Sequence, residues 1–376
     1  MNQMSTPPWR AKTITVKTVQ SDVSIPTHRL SVYSLFTKYF SGKKKLGEGG
    51  NGAVHSYEYS VSKIVIAVKT ASSGQRSAVE QLRDEIENFK HIGKHDHIVD
   101  MLTYCTSYGE PGNNAIFLEL CDLGDLKAYA DSCCEQEQAI GNPAQPLEIT
   151  IWKLYKDIAL GLNYLHNDLD HCYVHTDLKP GNILVSRPKY WSDADGLPLE
   201  PTFKITDFGP MTQYPLPRDA PHYKWAGTPE YAPPLSEQTP PLRPSVDIWG
   251  LGATIQFFAL GHHPVQSRET CRALRRALGK DVPNSKQKRL WSTTYWRRQR
   301  PTMYRPLNVD VEELKGPWDL GRMQDDYEPY SSVLNREYKA LWEKDSGSRI
   351  TAKMLVKDVI PKMDRQIALL KSQEKE

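Results

Sequence analysis

The apolar positions of the chain repeat mostly with a strand's short period before residue 121, one helical stripe apart, and turn mainly helical after it. Residues 1–40 are polar, with an alternating run from Thr13 to Val19 and an aromatic patch from Tyr33 to Phe40. They read as an extension with one edge strand. Two strand-like runs then flank the glycines of KLGEGGNGAVHSYEY, the second being Ala53 to Tyr59. Lys63 to Lys69 (KIVIAVK) alternates with period two, which puts Val65, Ala67 and Lys69 on one face. Ser77-Ala-Val-Glu80 has the form of a capping box. Val79, Leu82, Ile86 and Phe89 follow it at helical spacing. Ile98 to Tyr104 and Ala115 to Leu120 complete the pattern of a five-stranded antiparallel sheet with one helix.

Farther on, Trp152, Tyr155, Ile158, Ala159, Leu162 and Leu165 form a stripe at spacings of three and four, predicting a helix. Short strands are predicted at Ile183–Val185 and Phe203–Ile205. The polar, proline-containing stretch Ser186 to Pro201 between them reads as a surface insertion. Pro210 to Ala226 lacks periodicity, and Val246 to Leu260 is apolar on most faces, as a buried helix is. The fold class is α+β, a small sheet part followed by a larger, mainly helical part.

Composition changes little in this picture. With 39% hydrophobic and 25% charged residues the chain is an ordinary globular one, and a net charge of +3 argues neither for nor against an anionic partner. The beginning, MNQMSTPPWR, lacks the apolar core of a secretory signal. The longest apolar run, Val246 to Leu260, is too short to span a membrane and carries Asp247. The six cysteines show no CxxC spacing, which suits reduced thiols, a cytoplasmic or nuclear location and no thiolate metal site. A basic run from Arg268 to Arg305 carries Trp291, Tyr295 and Trp296. It could meet acidic partners or nucleic acid, but a solvated face over packed tryptophans is the preferred reading, and no membrane partner is expected.

The chemistry concentrates in YVHTDLKPGNILV, Tyr173 to Val185, where hydrophobic anchors hold a polar turn still. Asp177 can accept a hydroxyl proton, Lys179 can offset charge on a migrating group, and Asn182 can offer a neutral oxygen to a metal. Asp207, on the turn after the second strand, supplies an anionic ligand. Hard oxygen ligands suit Mg²⁺, and this set fits phosphoryl transfer, which asks mainly for orientation and charge neutralisation. Glu85 lies beside the apolar stripe of its helix and needs a cation, and Lys69 meets that need. Gly47, Gly49 and Gly52 form a turn whose N–H groups can approach phosphate oxygens. A strand rather than a helix follows the glycines, against a dinucleotide site, and no GxxxxGK[ST] loop occurs.

HTDLKPGN resembles the catalytic loop of the eukaryotic protein kinases, and Asp207-Phe208-Gly209 is similar to their metal-binding triplet. Further motifs follow in the family's order over about residues 45 to 360. The resemblance implies a bilobal fold with an extension at 1–40, a kinase domain at 41–360 divided after residue 120 and atypical at 261–330, and a tail at 361–376. It implies ATP and Mg²⁺ as cofactors and a protein substrate. ATP contacts are expected from Gly47, Gly49, Gly52, Val54, Ala67, Lys69, Glu119, Cys121, Asp125 and Leu184. Within that set, Glu119 and Cys121 would bond the base through their backbones and Asp125 would meet the ribose, while Leu118, outside it, would be the gatekeeper behind the base. Asn182 and Asp207 are the implied metal ligands, and Asp177, Lys179, Lys69 and Glu85 the catalytic residues. Gly227 to Tyr231 matches the stretch that docks the residue next to the acceptor, with Thr228 bonding Asp177 and Lys179. Asp247 would bond the catalytic loop, and Glu230 and Asp125 suggest basic residues before the acceptor.

Three positions depart from the family. Thr176 replaces the Arg before the catalytic Asp, an Arg that in many kinases pairs with a phosphorylated residue, so activity is expected not to depend on phosphorylation by that route. Leu235 stands where Arg349 would find its Glu partner. Either Glu237 substitutes, or Arg349 is solvated, or that corner is loose. Pro210 restricts Gly209. The expected function is ATP-dependent phosphorylation of Ser/Thr hydroxyls in proteins, Lys179 being the Ser/Thr form. The alternative is a pseudokinase scaffold that acts by binding.

Overall fold

The computed structural model describes residues 32–49, 52–72, 76–110, 112–192, 195–220, 224–315 and 327–373, so the run Thr13 to Val19 lies outside it. It comprises two units, one of residues up to Lys94 with Val99–Leu120, the other of His95–Ile98 with Cys121 onward.

In the first unit, α1 (Val32–Tyr39) leads into β1 (Phe40–Gly49), β2 (Gly52–Tyr59) and β3 (Val65–Ala71), followed by α2 (Arg76–Ile92), β4 (Met101–Cys105) and β5 (Ala115–Glu119). The strands form an antiparallel sheet in the order β1-β2-β3-β5-β4. Alternation along β3 sends Ile66 and Val68 to one face, where they pack with Ala115, Phe117 and the buried Phe36 of α1. The aromatic patch read as part of an extension is thus a helix covering the sheet. Phe36 lies edge-on to Tyr57 and Phe117 at centroid distances of 4.8 and 5.0 Å. Ala67 and Lys69 occupy the opposite face, the side of α2, as the period of two requires.

Two local expectations are corrected. The strand read from Ile98 begins at Met101, because the backbone before it is engaged elsewhere. Asp100 N donates to Glu119 Oε1 (2.8 Å) and Asp100 O accepts from Glu119 N (3.0 Å). Ile98 instead makes an isolated bridge to Ile205 within the second unit. Ser77 is the second residue of α2 rather than its cap, and Glu80 pairs with Arg76 one turn back.

The second unit contains α3 (Leu126–Ala139), α4 (Glu148–Asn163), β6 (Cys172–Val174), β7 (Ile183–Ser186), β8 (Thr202–Ile205), β9 (Thr212–Tyr214) and α5 (Ser245–Leu260). The predicted stripe of α4 is fully buried, and α5 is buried on every side from Val246 to Leu260. Two antiparallel pairs, β7 with β8 and β6 with β9, flank the catalytic stretch. The connection from Ser186 is exposed at Tyr190 but pinned at its far end. Thr150 Oγ1 donates to Leu199 O (2.8 Å), and Leu197 N to Gln136 Oε1 (3.1 Å). All six cysteines are free thiols, and among the described residues no helix is long and apolar enough to cross a membrane.

The corner at Leu235 resolves to the first of its three readings. Leu235 is 78% exposed, while Arg349, its side chain fully buried, takes both oxygens of Glu237 at 2.9 and 2.7 Å. Arg349 also donates to Glu343 O and Ser245 O and lies over the Trp249 ring. Glu237→Ala leaves that guanidinium buried without its carboxylate and is expected to destabilise the chain by about 3–5 kcal/mol, read by denaturant unfolding. Leu235→Ala is expected to change stability by less than about 0.5 kcal/mol in the same measurement.

Candidate active site

The catalytic stretch is hung on Asp247, in the first turn of α5. Its buried carboxylate accepts the N–H groups of His175 and Thr176, both at 2.8 Å, and Nε2–H of His166 at 2.9 Å. Three donors offset its desolvation. Thr176 has φ +72, a conformation disfavoured for a β-branched residue and held here by its bond to Asp247. His175 carries the hold onward, donating from Nε2 to Thr206 O (2.9 Å) and lying edge-on to the buried Phe208. Thr176 Oγ1 donates to Pro210 O (3.1 Å), so the residue that replaces Arg ties down the end of the Asp207-Phe208-Gly209 turn.

On this base, Asp177, Lys179, Asn182 and Thr228 form one network. Asp177 Oδ1 accepts Thr228 N at 2.6 Å, and Lys179 Nζ donates to Asp177 Oδ2 at 2.6 Å and to Thr228 Oγ1 at 2.7 Å. Asn182 Nδ2 donates to Asp177 O (2.9 Å), which fixes the amide with its oxygen directed to the other side. Thr206 N donates to Asn182 O (3.0 Å), and Asp207 follows directly with φ +66. The side-chain amide of Asn182 and the carboxylate of Asp207, on backbone segments joined by that bond, are donor types that fit Mg²⁺.

A groove of about 1040 Å³ in the second unit runs from Lys179 and Thr228 past Tyr231 to α3, where Asp125, Asp131 and Glu135 line it. Glu230 does not offer its charge to such a groove. Arg297, in α7 (Thr294–Arg297) beyond α6 (Arg268–Ala277), grips both its oxygens, and this correction removes Glu230 as a reader of basic residues. Burial is the largest single influence and raises the Glu230 carboxyl, but the hydrogen bonds from Arg297, a backbone hydrogen bond and the nearby Arg297 and His263 charges together outweigh it and hold the group below its usual range. The basic run is otherwise folded onto itself, with Arg272 over the buried Trp291 and Arg275 over Trp296.

In the first unit Lys69 Nζ meets both oxygens of Glu85, at 2.9 and 2.7 Å, with the carboxylate 3% exposed. Val54 lies opposite Lys69 in the sheet and Ala67 opposite Leu118. The three glycines differ in cause. A Cβ on Gly52 would stand 2.1 Å from Thr70 O, so the sheet itself demands glycine there, whereas a Cβ on Gly47 or Gly49 would meet nothing within 4 Å. Residues 50–51 between the strands lie outside the described chain.

The hinge-like stretch has internal duties. Cys121 O accepts Gly124 N (3.3 Å), Leu123 N donates to Val185 O (3.0 Å), and Asp125 bridges to Leu184. Asp125 caps α3 by accepting Ala128 N (2.8 Å), which is a helix-terminal role independent of any ribose. The sequence reading missed Trp225 and Arg297. Trp225 carries a weak local signal, an aromatic two residues before the Gly-Thr-Pro motif. Arg297 carries none, its partner being 67 residues away.

The family model of the protein kinase domain matches residues 40–359. Similar curated proteins include the Arabidopsis thaliana L-type lectin-domain containing receptor kinase V.5, 26% identical over 249 residues, 66% of this chain and 34% of that protein. Receptor kinase V.9 of the same name and organism is 28% identical over 250 residues, 66% and 34% of the two chains. L-type lectin-domain containing receptor kinase SIT2 of Oryza sativa subsp. japonica is 28% identical over 246 residues, 65% and 33%. The chain spans about a third of the length of these relatives. Since the family match takes in both units and every site residue named above, the chain belongs to the protein kinase family.

Proposed function

We propose that the protein transfers the terminal phosphoryl group of ATP to serine and threonine hydroxyls of other proteins. The observation that carries this reading is the network centred on Asp177, which bonds Lys179, Asn182 and the Thr228 N–H, with Lys179 also bonded to the Thr228 hydroxyl. Asp177 orients the acceptor hydroxyl and takes its proton as the oxygen attacks the γ-phosphorus, whose bond to the bridging oxygen breaks so that ADP leaves. Lys179, held between Asp177 and Thr228, offsets charge on the migrating group. Asn182 and Asp207 would hold Mg²⁺, which when bound would neutralise charge on the phosphate oxygens. Lys69, steadied by Glu85, meets the phosphates under the N–H groups of the Gly47–Gly52 turn. Val54, Ala67 and Leu184 would pack on the base, Glu119 and Cys121 would bond its edge, and Asp125 would face the ribose.

A scaffold reading would draw on the departures at Thr176 and Leu235, but the Thr176 bond to Pro210 and the Arg349 pair with Glu237 are compatible with an active site.

Labelled ATP with Mg²⁺ and a mixed protein substrate is expected to give phosphoserine and phosphothreonine. Asp207→Ala is expected to lower transfer by about three orders of magnitude, since metal stabilisation of the transferring charge is worth several kcal/mol. Transfer equal in the variant and the parent, with Mn²⁺ also tried, would sink the proposal. Treatment with a phosphatase is expected to leave most of the activity, because Thr176 cannot pair with a phosphate as Arg does. Near-complete loss would show another route of phosphate dependence. The glycines separate by cause. Gly49→Ala is expected to raise KM for ATP while leaving thermal stability unchanged or slightly higher. Gly52→Ala is expected to cost about 1–3 kcal/mol of stability by forcing β3 away, seen as a lower Tm.

A further inference from the structure

Thr176 is fixed on three sides. Its N–H goes to Asp247 and its hydroxyl to Pro210, and its carbonyl accepts the indole Nε1–H of Trp225 at 2.7 Å, a bond shut off from solvent. Trp225 is 4% exposed and packs with Val174, Leu242 and Val246, while its own backbone N–H donates to Gln238 O (3.0 Å). Two residues on, Gly227 passes the catalytic loop with no room to spare. A Cβ there would stand 2.6 Å from the Trp225 ring, 2.8 Å from Thr176 O and 2.9 Å from Asp177 Oδ1. Thr228 then gives its N–H to Asp177.

We infer that Trp225 is a positioning residue: its indole N–H ties the acceptor-docking stretch, residues 227–231, to the backbone of the residue before Asp177. The packing of the ring supplies adhesion, but only the N–H fixes a register. A carbonyl held at one end and the Asp177–Thr228 bond at the other set how far the docking stretch stands from the base. The indole bond is between neutral groups and needs no modification to form. Its consequence for catalysis rests on the kinase reading above, whereas the tether itself does not.

The test replaces Trp225 with β-(3-benzothienyl)alanine, which keeps the ring shape and puts sulfur where the N–H stood, alongside Trp225→Phe. Leu242→Ala, in the same apolar cluster but without a bond to the loop, is the control. Amide hydrogen exchange over residues 224–231 is expected to quicken at least about tenfold in the analogue, while α5 stays within about twofold. KM for the protein substrate is expected to rise several-fold with KM for ATP unchanged. Leu242→Ala is expected to lower Tm without either effect. Unchanged exchange over 224–231 in the analogue would overturn the inference, as would equal acceleration in Leu242→Ala, which would assign the hold to packing. If Trp225→Phe does not fold, the shape-matched analogue still decides. If the parent chain transfers no phosphate to any protein, the kinase reading fails while the exchange measurement continues to judge the tether.

Discussion

The buried carboxylate of Asp247 is the fixed point of the second unit. It lies in a helix with no exposed face from Val246 to Leu260, so it cannot turn to solvent, and its two oxygens are met by the catalytic loop and His166. An anion in that position is tolerable only while those donors stay. The backbone of His175 and Thr176 is therefore held by the cost of uncovering it. Asp177 follows immediately, and its geometry is inherited from a charge it never touches. The same reasoning explains how Thr176 keeps a positive φ that its side chain disfavours.

The first unit solves a related problem with a charge pair. Glu85 is buried because the apolar stripe of α2 brings it down onto the sheet, and Lys69 arrives on the same face through the alternation of β3. Neither residue is placed by the other alone. The helical period and the strand period meet at one point, and the ion pair forms there because both side chains would otherwise be poorly solvated. Alternation also explains the opposite face, where Ile66, Val68 and Phe117 need an apolar cover and obtain it from Phe36.

This accounts for what could be read in the sequence. Period two in KIVIAVK and the three-four stripe of α4 state which side chains share a face, so the sheet, the buried helices and the Lys69–Glu85 pair were legible. The strand start near Ile98 was not, because it depends on Asp100 being engaged by Glu119, a contact between segments with no shared period. The capping box at Ser77 failed for a related reason: the letters were right, but α2 already includes them. Gly52 looked like its neighbours in the glycine turn, yet only the passage of Thr70 O beneath it shows that the sheet excludes a side chain there.

The departures from the family pattern follow the same division. Read locally, Leu235 in place of Glu and Thr176 in place of Arg look like losses, because each motif position was judged against one partner. In three dimensions the requirement is a carboxylate near Arg349, not a carboxylate at one position, and Glu237 meets it from two residues along the same turn. Likewise the loop before Asp177 must be tied to the segment that follows the Asp207-Phe208-Gly209 turn, and Thr176 does this through its hydroxyl and its carbonyl. A substituted motif therefore weakens a site only if the interaction it stood for is absent as well. Judging that takes the partner's position in space, which a one-dimensional match cannot supply when the partner lies tens of residues away.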